Sequence, residues 1–445
     1  MGDRRILHAA DIHLDSPLQK LDQYENAPVD RIRGATRRAM ESLTRLAIEE
    51  QVDLVVIAGD LYDGDWVDQN TGLAFVGQAA KLVRAGIPLL VIRGNHDAAN
   101  QMTASLPLPK NPDGSEIFLQ TGQPETRLFE DLGFAVHGQS FRSRAERANL
   151  AERYPPPVTG MFNLGLLHTG LEGDSGHAHY APCTAAQLTD KQYDYWALGH
   201  IHQRGDYALE GGAPIVFSGN IQGRHIRESG PKGCLLLEVD AKNRCRYEFH
   251  ALDVVRWQQC TIDVSPLKHR DEICDRYQSW LATQIDSADG RLLVARVRLQ
   301  GATRLHASLH QHQAALRADL QSISVAFGAD QVWLEDVKVR TKLPAEGGVR
   351  AEMEGPLESF AHVVEELRQS SDLASVIGAE LNPLGRKLPK ELLGESEQAA
   401  FPMTDPEWIE ELFSAASADV LGRLQPTEDQ AADAAEHHDR SQEAT

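Results

Sequence analysis

The sequence predicts an α/β fold for residues 1–255, because short apolar runs alternate there with segments of helical periodicity. Several of the runs are bounded by Gly and Asp, which is typical of buried strands. The runs are ILHAA (6–10), DLVVIAG (53–59), PLLVIRG (88–94), FNLGLL (162–167) and YDYWALG (193–199). Between the second and third runs, Leu73, Val76, Ala80 and Val83 follow the spacing of one helix face.

The bulk composition limits the class of protein. A chain of 445 residues predicts two or three domains, and 42% hydrophobic residues suffice for a buried core. No stretch of about 18 apolar residues is found, so no membrane span is expected, and the apolar patch near the N-terminus is too short for a signal peptide. Five scattered cysteines without a CxxC pair indicate reduced thiols in a cytoplasmic protein.

The charge is unevenly distributed along the chain. The net charge of −21 argues against a broadly basic protein that coats nucleic acid. Residues 341–445 hold 8 Lys/Arg and 22 Asp/Glu, a net of −14, which leaves −7 for the first 340 residues. The acidity is therefore mainly a property of the C-terminal part.

Residues 256–345 are predicted to form a small α+β domain. Strands are expected at CTIDV (260–264), LLVARVRL (292–299) and QVWLEDVKV (331–339). A helix is expected where apolar side chains share one face, at Leu305, Leu309, Leu316 and Leu320. We expect His306, His310 and His312 on the solvated face of that helix.

Residues 346–425 are predicted to be a helical C-terminal region. One amphipathic helix is indicated by Phe360, Val363, Val364 and Leu367. A second is indicated at 404–424, where a Thr/Asp cap is followed by Pro406 in the first turn. The final segment, 426–445, contains no large apolar residue and is expected to be a disordered acidic tail.

Polar residues with metal-binding side chains follow the apolar runs. They are Asp11, His13, Asp60, Asp63, Asn95, His96, His168, His200 and His202. In α/β sheets, ligands bind at the carboxyl ends of the strands, where these residues are predicted to lie. Carboxylates, imidazoles and one amide suit manganese, iron or zinc better than magnesium. The set exceeds what one ion needs, and two ions that share a bridging carboxylate fit the count.

Two neighbouring polar residues receive a different interpretation. His8 lies within the first run and is expected to be structural. Asp97 directly follows His96, and the sequence leaves open whether it supports the ligands from behind or caps a helix.

The motif series closely resembles that of the calcineurin-like metallophosphoesterases. That family carries DxH, GDxxD, GNHD or GNHE, a lone His and then GHxH, and all five elements stand here in that order over residues 11–202. The resemblance implies a four-layer α/β/β/α sandwich with a smaller α+β capping domain. It also implies two divalent ions about 3.5–4 Å apart that activate a hydroxide for attack on phosphorus.

The resemblance assigns a role to each motif residue. One metal would be held by Asp11, His13 and His202. The other would be held by Asn95, His168 and His200, with Asp60 bridging the two. His96 would be the catalytic histidine, which donates a proton or stabilises the transition state, and Asp63 would orient it.

Two further stretches narrow the resemblance to a subgroup. ILHAADIHLDSPL (6–18) and VIAGDLYD (56–63) resemble the bacterial DNA-repair exonucleases of the SbcD type, most closely the YhaO-like subgroup. FSGNIQGRHIRESGPKGC (217–234) resembles the loop of that subgroup after the GHxH motif. Its basic residues Arg224, His225, Arg227 and Lys232 would suit a phosphodiester backbone. The alternative is an ordinary hairpin with solvated charges.

The leading hypothesis is a manganese-dependent DNA exonuclease or endonuclease subunit that acts in DNA repair. The resemblance implies an SMC-like coiled-coil ATPase as partner, docked through the C-terminal amphipathic helices. Two alternatives stay open: a phosphatase or nucleotide phosphodiesterase acting on small substrates, and a regulatory or scaffold subunit of an ATPase complex. The sequence does not decide whether the chain forms a homodimer.

Overall fold

The computed structural model describes residues 4–16, 28–63, 69–99, 107–171, 180–342 and 344, together with parts of 356–420. These residues divide into two compact units. The first comprises residues 1–258 with 290–294, and the second comprises 259–289 with 295–445.

The first unit contains eleven described strands and four described α-helices. The strands are β1 (Arg4–Ala9), β2 (Leu54–Ile57), β3 (Leu89–Val91), β4 (Glu125–Phe129), β5 (Phe134–Gly138), β6 (Phe162–His168), β7 (Tyr195–Gly199), β8 (Gly205–Asp206), β9 (Ile215–Phe217), β10 (Gly233–Val239) and β11 (Cys245–Ala251). The helices are α1 (Val29–Arg33), α2 (Ala35–Glu49), α3 (Gln69–Arg84) and α4 (Ala185–Thr189). Short 3-10 turns cover Asp97–Ala99, Glu130–Leu132, Ala151–Arg153 and Ile226–Glu228.

These strands form two sheets with parallel centres. The first sheet has the order β11-β10-β1-β2-β3, and β1, β2 and β3 run parallel. The second has the order β4-β5-β6-β7-β9-β8, and β5, β6, β7 and β9 run parallel. Parallel strands end at the same edge, so the residues that follow them are brought together.

The two sheets pack face to face through one shared hydrophobic core. Ile6, Val56 and Leu90 of the first sheet are buried in the same cluster as Leu164 and Tyr195 of the second. The alternate residues of each strand point to the outer faces, as the two-residue period of a strand requires. The core between the sheets is therefore the centre of a sandwich.

The outer faces are covered unequally. α2 and α3 cover the first sheet with buried side chains such as Met40, Leu43 and Phe75. Among the described residues, the outer face of the second sheet is covered by α4, the 3-10 turn at Ala151–Arg153 and loops, with Tyr154 buried there. The predicted α/β/β/α arrangement is confirmed, with a thin fourth layer.

The second unit contains a three-stranded sheet and helices. The strands of this sheet, in order, are β12 (Val255–Asp263), β13 (Leu292–Ala302) and β14 (Val332–Lys342). The first residues of β12 and β13, 255–258 and 292–294, are assigned to the first unit. The first helices of the second unit are α5 (Asp271–Ala288), α6 (His306–Gln311) and α7 (Gln313–Phe327). Both α6 and α7 pack against β14, so the predicted α+β character of this region is confirmed.

Two details of the second unit differ from the sequence-based prediction. The single helix expected over Leu305–Leu320 is two helices, because His312 leaves the helical conformation with φ −110° and ψ 29°. The prediction of a solvated face is wrong for His306, which is buried with Nδ1 2.8 Å from Thr341 Oγ1. His310 is half-buried, and His312 is exposed, as expected.

The C-terminal region is described only in part. Helix α8 covers Pro356–Gln369, with Val363 and Leu367 exposed, and further helical residues lie at 408–410 and 412–414. Arg368 Nε donates to Glu410 Oε1 at 2.9 Å, which links the two segments. The tail at 426–445 lies outside the described residues. Within the part of the chain that the structure describes, no helix has the length and apolarity needed to cross a bilayer.

Candidate metal centre

The residues that follow the parallel strands converge at one edge of the sandwich. Three groups of side chains each place their ligand atoms within 4.8 Å of one another. The groups are Asp11, His13 and His202; Asp60, His168 and His200; and His13, Asp63 and His96. The structure therefore brings together eight of the nine residues selected from the motifs, and the ninth, Asn95, has Oδ1 2.9 Å from His168 Nε2.

Asp60, a member of the second group, also faces the first. Its Oδ2 is 3.4 Å from His168 Nε2 and 3.9 Å from His13 Nε2. Its Oδ1 accepts a hydrogen bond from the backbone N–H of His96 at 2.9 Å. One carboxylate oxygen thus faces both groups, which is the position that a bridging ligand requires.

The first group fits a cation. His13 Nε2 and His202 Nε2 face each other at 3.2 Å, and burial lowers the pKa of His13 to about 3, so its imidazole is neutral. His13 Nδ1, on the other side of the ring, lies 3.7 Å from Asp63 Oδ1. Burial also raises the pKa of Asp11. A divalent ion would resolve this arrangement, because imidazole lone pairs and a buried carboxylate are ligands for such ions.

The second group also concentrates acceptor atoms. His168 Nδ1 is 2.9 Å from the carbonyl oxygen of Ala58, which leaves Nε2 turned toward Asn95 and Asp60. Burial opposes a charge on His168, but the charge of Asp60 and its hydrogen bond raise the pKa of His168 to about 9. The pocket therefore favours positive charge, and a divalent ion would supply it in place of the proton.

His96 belongs to the third group and is paired with Asp63. Its Nδ1 is 2.9 Å from Asp63 Oδ1. Burial opposes the charged form, but the hydrogen bond to Asp63 and the charges of Asp60 and Asp63 raise the pKa of His96. A protonated imidazole can therefore be held beside the metal-binding residues, with its other nitrogen free of the Asp63 contact.

The backbone at three of the candidate ligands adopts a conformation that few residues tolerate. Asp11, His13 and Asp60 have positive φ values of 50°, 44° and 52°. Asp, Asn and His are the non-glycine residues most often found there. The left-handed turns direct the side chains toward the centre as soon as each strand ends.

Gly94 makes the close packing of the centre feasible. A Cβ atom at this position would meet Asp60 Oδ1 at 2.3 Å and His168 Cε1 at 2.7 Å. A side chain there would displace the carboxylate that lies between the two groups. Glycine is therefore required by space.

Two residues left open or interpreted as structural can now be assigned. Asp97 is buried, and its carboxylate accepts from the backbone N–H groups of Leu61 at 3.0 Å and Tyr62 at 2.8 Å. It ties the GDxxD loop to the GNHD turn from behind the ligands. His8 is buried with Nδ1 3.1 Å from Tyr195 Oη and Nε2 3.2 Å from the carbonyl oxygen of Leu198, so its structural role is confirmed.

Glu228 belongs to the site but was not selected from the sequence. Its Oε1 is 2.7 Å from His202 Nδ1, and the residue is 6% exposed. It is surrounded in sequence by Arg224, His225 and Arg227, so the composition indicated a basic surface. The sequence feature that could have identified Glu228 is that it is an acidic residue in a basic Gly-rich loop next to the GHxH motif.

The four basic residues selected in this loop take different positions. Arg224 pairs with Glu228, with Nη2 3.1 Å from Oε1, and Lys232 is buried with Nζ donating to the carbonyl oxygen of His202 at 2.9 Å. Arg227 is exposed, and His225 is half-buried. Only part of the predicted basic surface therefore faces solvent.

Fold and site together form a two-sheet α/β sandwich with a candidate dinuclear metal centre at one edge. The carboxylates and imidazoles lie at the carboxyl ends of parallel strands in a two-sheet sandwich, with one carboxylate between two ligand groups. Comparison with known families agrees. Residues 4–204 match the calcineurin-like phosphoesterase model, and residues 257–342 match the model of the YhaO metallophosphoesterase middle domain. Residues 4–204 therefore form a domain similar to the calcineurin-like phosphoesterases, and residues 257–342 a domain similar to the middle domain of YhaO.

Individual relatives agree with this assignment. The chain is 34% identical over 272 residues to the uncharacterized metallophosphoesterase YhaO of Bacillus subtilis, a match covering 60% of this chain and 65% of that protein. It is 28% identical over 268 residues to the DNA double-strand break repair protein Mre11 of Sulfurisphaera tokodaii, covering 59% and 64%. The matches therefore span less than two thirds of these relatives.

A solved structure is also similar in part. The crystal structure of TT1561 of Thermus thermophilus aligns with 56% of this chain and 99% of that chain, at 12% identity and a TM-score of 0.32. A similarity this loose carries no inference about substrate.

Proposed function

We propose that this protein is a DNA exonuclease or endonuclease subunit that hydrolyses phosphodiester bonds with two divalent ions, which we take to be Mn²⁺. In this proposal it acts in DNA repair in the cytoplasm. The observation that carries the proposal is the position of Asp60 between two ligand groups, with the His96–Asp63 pair beside them. When bound, the two ions would supply Lewis acidity and an activated nucleophile at neutral pH.

The protein residues around the ions would have distinct tasks. Asp11, His13 and His202 would hold one ion, and Asn95, His168 and His200 the other. His96 would donate a proton to the departing oxygen, or a hydrogen bond to the charge that develops in the transition state. Asp63 would keep the imidazole protonated and oriented through the 2.9 Å contact at Nδ1.

Exposed arginines support a polyanionic substrate. Arg142, Arg144 and Arg147 are exposed in the segment that leaves β5. The segment starts close to the site, because the backbone N–H of Phe141 donates to the carbonyl oxygen of Arg93 at 2.9 Å and the Phe141 ring is 5.4 Å from that of His168. Arginine recognises phosphate oxygens well, so this segment and Arg227 would suit a nucleic-acid backbone.

The relatives named Mre11 are described as DNA double-strand break repair proteins, and this motivates DNA as the substrate class. We also propose that the protein has a partner, an SMC-like coiled-coil ATPase. Helix α8 exposes Val363 and Leu367, which fits docking of an apolar helix face. In this proposal residues 1–255 form the nuclease domain, 256–345 the capping domain and 346–425 the docking region.

The test is hydrolysis by the purified full chain. Labelled single- and double-stranded DNA should be cut in the presence of Mn²⁺, and a chelator should abolish the cutting. Bis(p-nitrophenyl) phosphate serves in parallel as a small diester. Turnover of the small diester without any cutting of DNA would overturn the nuclease proposal.

A phosphodiesterase for small substrates is the second candidate. The observation that favours it is that Arg224 and Lys232 face inward rather than toward solvent, which reduces the basic surface available to a long polyanion. Saturation by a nucleotide diester at concentrations far below those of DNA cleavage would identify this alternative.

A further inference from the structure

The loop between β9 and β10 is folded around one buried carboxylate. Glu228 Oε2 accepts from Asn220 Nδ2 at 2.9 Å and from the backbone N–H of Arg224 at 2.7 Å. Its Oε1 lies 2.7 Å from His202 Nδ1 and 3.1 Å from Arg224 Nη2. Each carboxylate oxygen therefore accepts from two donors. These hydrogen bonds compensate for the cost of burying the charged carboxylate.

Arg224 continues this network toward the catalytic pair. Its Nη1 lies 3.7 Å from Asp63 Oδ2 and 3.4 Å from Ser16 Oγ, and Ser16 Oγ in turn donates to Asp63 Oδ2 at 2.5 Å. The guanidinium is mostly buried, with 15% of the side chain exposed. One continuous set of contacts thus runs from His202 through Glu228 and Arg224 to Asp63 and His96.

We propose that Glu228 and Arg224 are positioning residues that brace the metal centre. Glu228 fixes the ring of His202 so that Nε2 faces His13, and Arg224 connects this ligand to the carboxylate that orients His96. The inference rests on the proposed function only in taking His202 as a metal ligand. It applies equally to a diesterase that acts on DNA or on a small substrate.

The physical basis is the fixed tautomer of His202. A hydrogen bond from Nδ1–H to a carboxylate leaves the lone pair on Nε2 and makes that nitrogen a stronger ligand. Loss of such a partner costs about 10–100-fold in metal affinity in known sites. The effect should fall on the ion held by Asp11, His13 and His202, since Glu228 contacts none of the other ligands in the described contacts.

An amide cannot replace this carboxylate. All four of the contacts named above come from donors, so both oxygens of Glu228 must accept. In Glu228→Gln the amide NH₂ would face either the Asn220 and Arg224 N–H groups or the His202 and Arg224 side chains. One set of donors would lose its acceptor, although the shape of the side chain is retained.

The experiment is calorimetric titration of the metal-free full chain with MnCl₂. The comparison is between the wild-type protein, Glu228→Gln and the control Glu248→Gln. Glu248 is a matched control, because it also contacts an imidazole at 2.7 Å, that of His250, but its own side chain is 68% exposed. We expect one Mn²⁺ to bind about 10–100-fold more weakly in Glu228→Gln, the other within about threefold of wild type, and no change in Glu248→Gln.

Two results would overturn the proposal. One is unchanged binding of both ions by folded Glu228→Gln. The other is an equal loss at both sites, which would indicate general damage rather than positioning. Circular dichroism of the metal-free protein establishes folding. If Glu228→Gln does not fold, Glu228→Asp takes its place. Its shorter side chain withdraws the carboxylate from His202 Nδ1, so we expect the same selective loss of Mn²⁺ affinity.

Arg224→Gln tests the second half of the brace. If Arg224 acts through Glu228, the double variant should lose less affinity than the product of the two single losses. Independent, multiplicative losses would overturn the connection between the two residues. Failure of the chain to cut DNA would refute the nuclease proposal and leave these affinity comparisons intact.

Discussion

The imidazole of His96 is held by Asp63 across 2.9 Å, from Nδ1 to Oδ1, although 32 residues separate the two in the chain. The neighbour in sequence, Asp97, instead binds the backbone of the loop that carries Asp60 and Asp63. Adjacent residues of one motif therefore perform separate tasks. His96 pairs with Asp63 beside the candidate ligands, and Asp97 holds two loops together.

Replacement of His96 separates proton transfer from metal binding. His96→Gln should lower kcat by about 10²–10⁴, the usual contribution of a general acid, while Mn²⁺ affinity stays within a few-fold of wild type. Steady-state kinetics and calorimetry on the same preparations provide the measurement. A parallel loss of metal affinity would show that His96 is a ligand after all.

Gly94→Ala should disrupt the metal centre through a steric clash alone. Its Cβ would meet Asp60 Oδ1 at 2.3 Å, so the carboxylate must move and both ions should bind more weakly. Gly77→Ala is the matched control, because in the middle of α3 the new Cβ would meet no atom within 4 Å apart from its chain neighbours and the backbone of its own helix. That control should stabilise the protein by about 0.5–1 kcal/mol with wild-type Mn²⁺ binding, and equal behaviour of the two variants would contradict the steric argument.

Asp97→Ala should lower the free energy of unfolding and loosen two loops together. It removes the acceptor for the N–H groups of Leu61, Tyr62 and Gly94, and an unsatisfied buried group costs about 1–3 kcal/mol. Urea denaturation of the metal-free protein measures the loss. Hydrogen exchange should then be faster at Leu61, Tyr62 and Gly94, whereas exchange that accelerates evenly over the whole first unit would argue against a local tie.

Acid should destabilise the second unit through His306. Burial and the positive charges of His310 and Arg368 lower the pKa of His306 from 6.5 to about 4. As pH falls below about 6.5, the unfolded chain takes up a proton that the folded chain resists. The free energy of unfolding therefore falls by up to about 1.4 kcal/mol per pH unit until about pH 4.

The contribution of His306 can be isolated by comparing pH dependences. His306→Gln should show a flatter dependence of unfolding free energy between pH 6.5 and 4 than wild type. His312→Gln, on the exposed side of the same segment, should keep the wild-type slope. Identical slopes in all three proteins would refute the assignment.

Metal binding should raise the melting temperature. Asp11 and Asp60 are buried carboxylates, and an ion that binds only the folded state stabilises it by about 2.7 kcal/mol at 100 times its Kd. The melting temperature should rise with added Mn²⁺ and return to its starting value with a chelator. Asp60→Asn should suppress most of the rise, and a full rise in that variant would remove Asp60 from the ligand set.

Much of this architecture could be predicted from the sequence. Strands can be recognised in the sequence as apolar runs. Side chains that directly follow parallel strands of one sheet lie at the same edge of that sheet. This is why Asp11, Asp60, Asn95 and His168 could be selected without coordinates. Asp11, Asp60 and Asn95 follow strands of the first sheet, whereas His168 ends a strand of the second, so their meeting also requires the two sheets to pack face to face.

The remaining features depend on contacts between distant segments. Glu228 stands among basic residues, and only the approach of His202 and Asn220 makes it a buried acceptor. His306 has the spacing of a solvated helix face, but Thr341 on β14 offers it a partner inside the unit. The composition of the loop and of the helix predicts exposed surfaces. Whether Glu228 and His306 are buried depends on the segments that pack against them.

The left-handed backbone at Asp11, His13 and Asp60 places the centre in competition with the stability of its own scaffold. Sparsely populated conformations cost about 1–3 kcal/mol each, and glycine would relieve them at these positions. A lineage released from the need for catalysis, but still selected for heat resistance, should therefore lose these three side chains early.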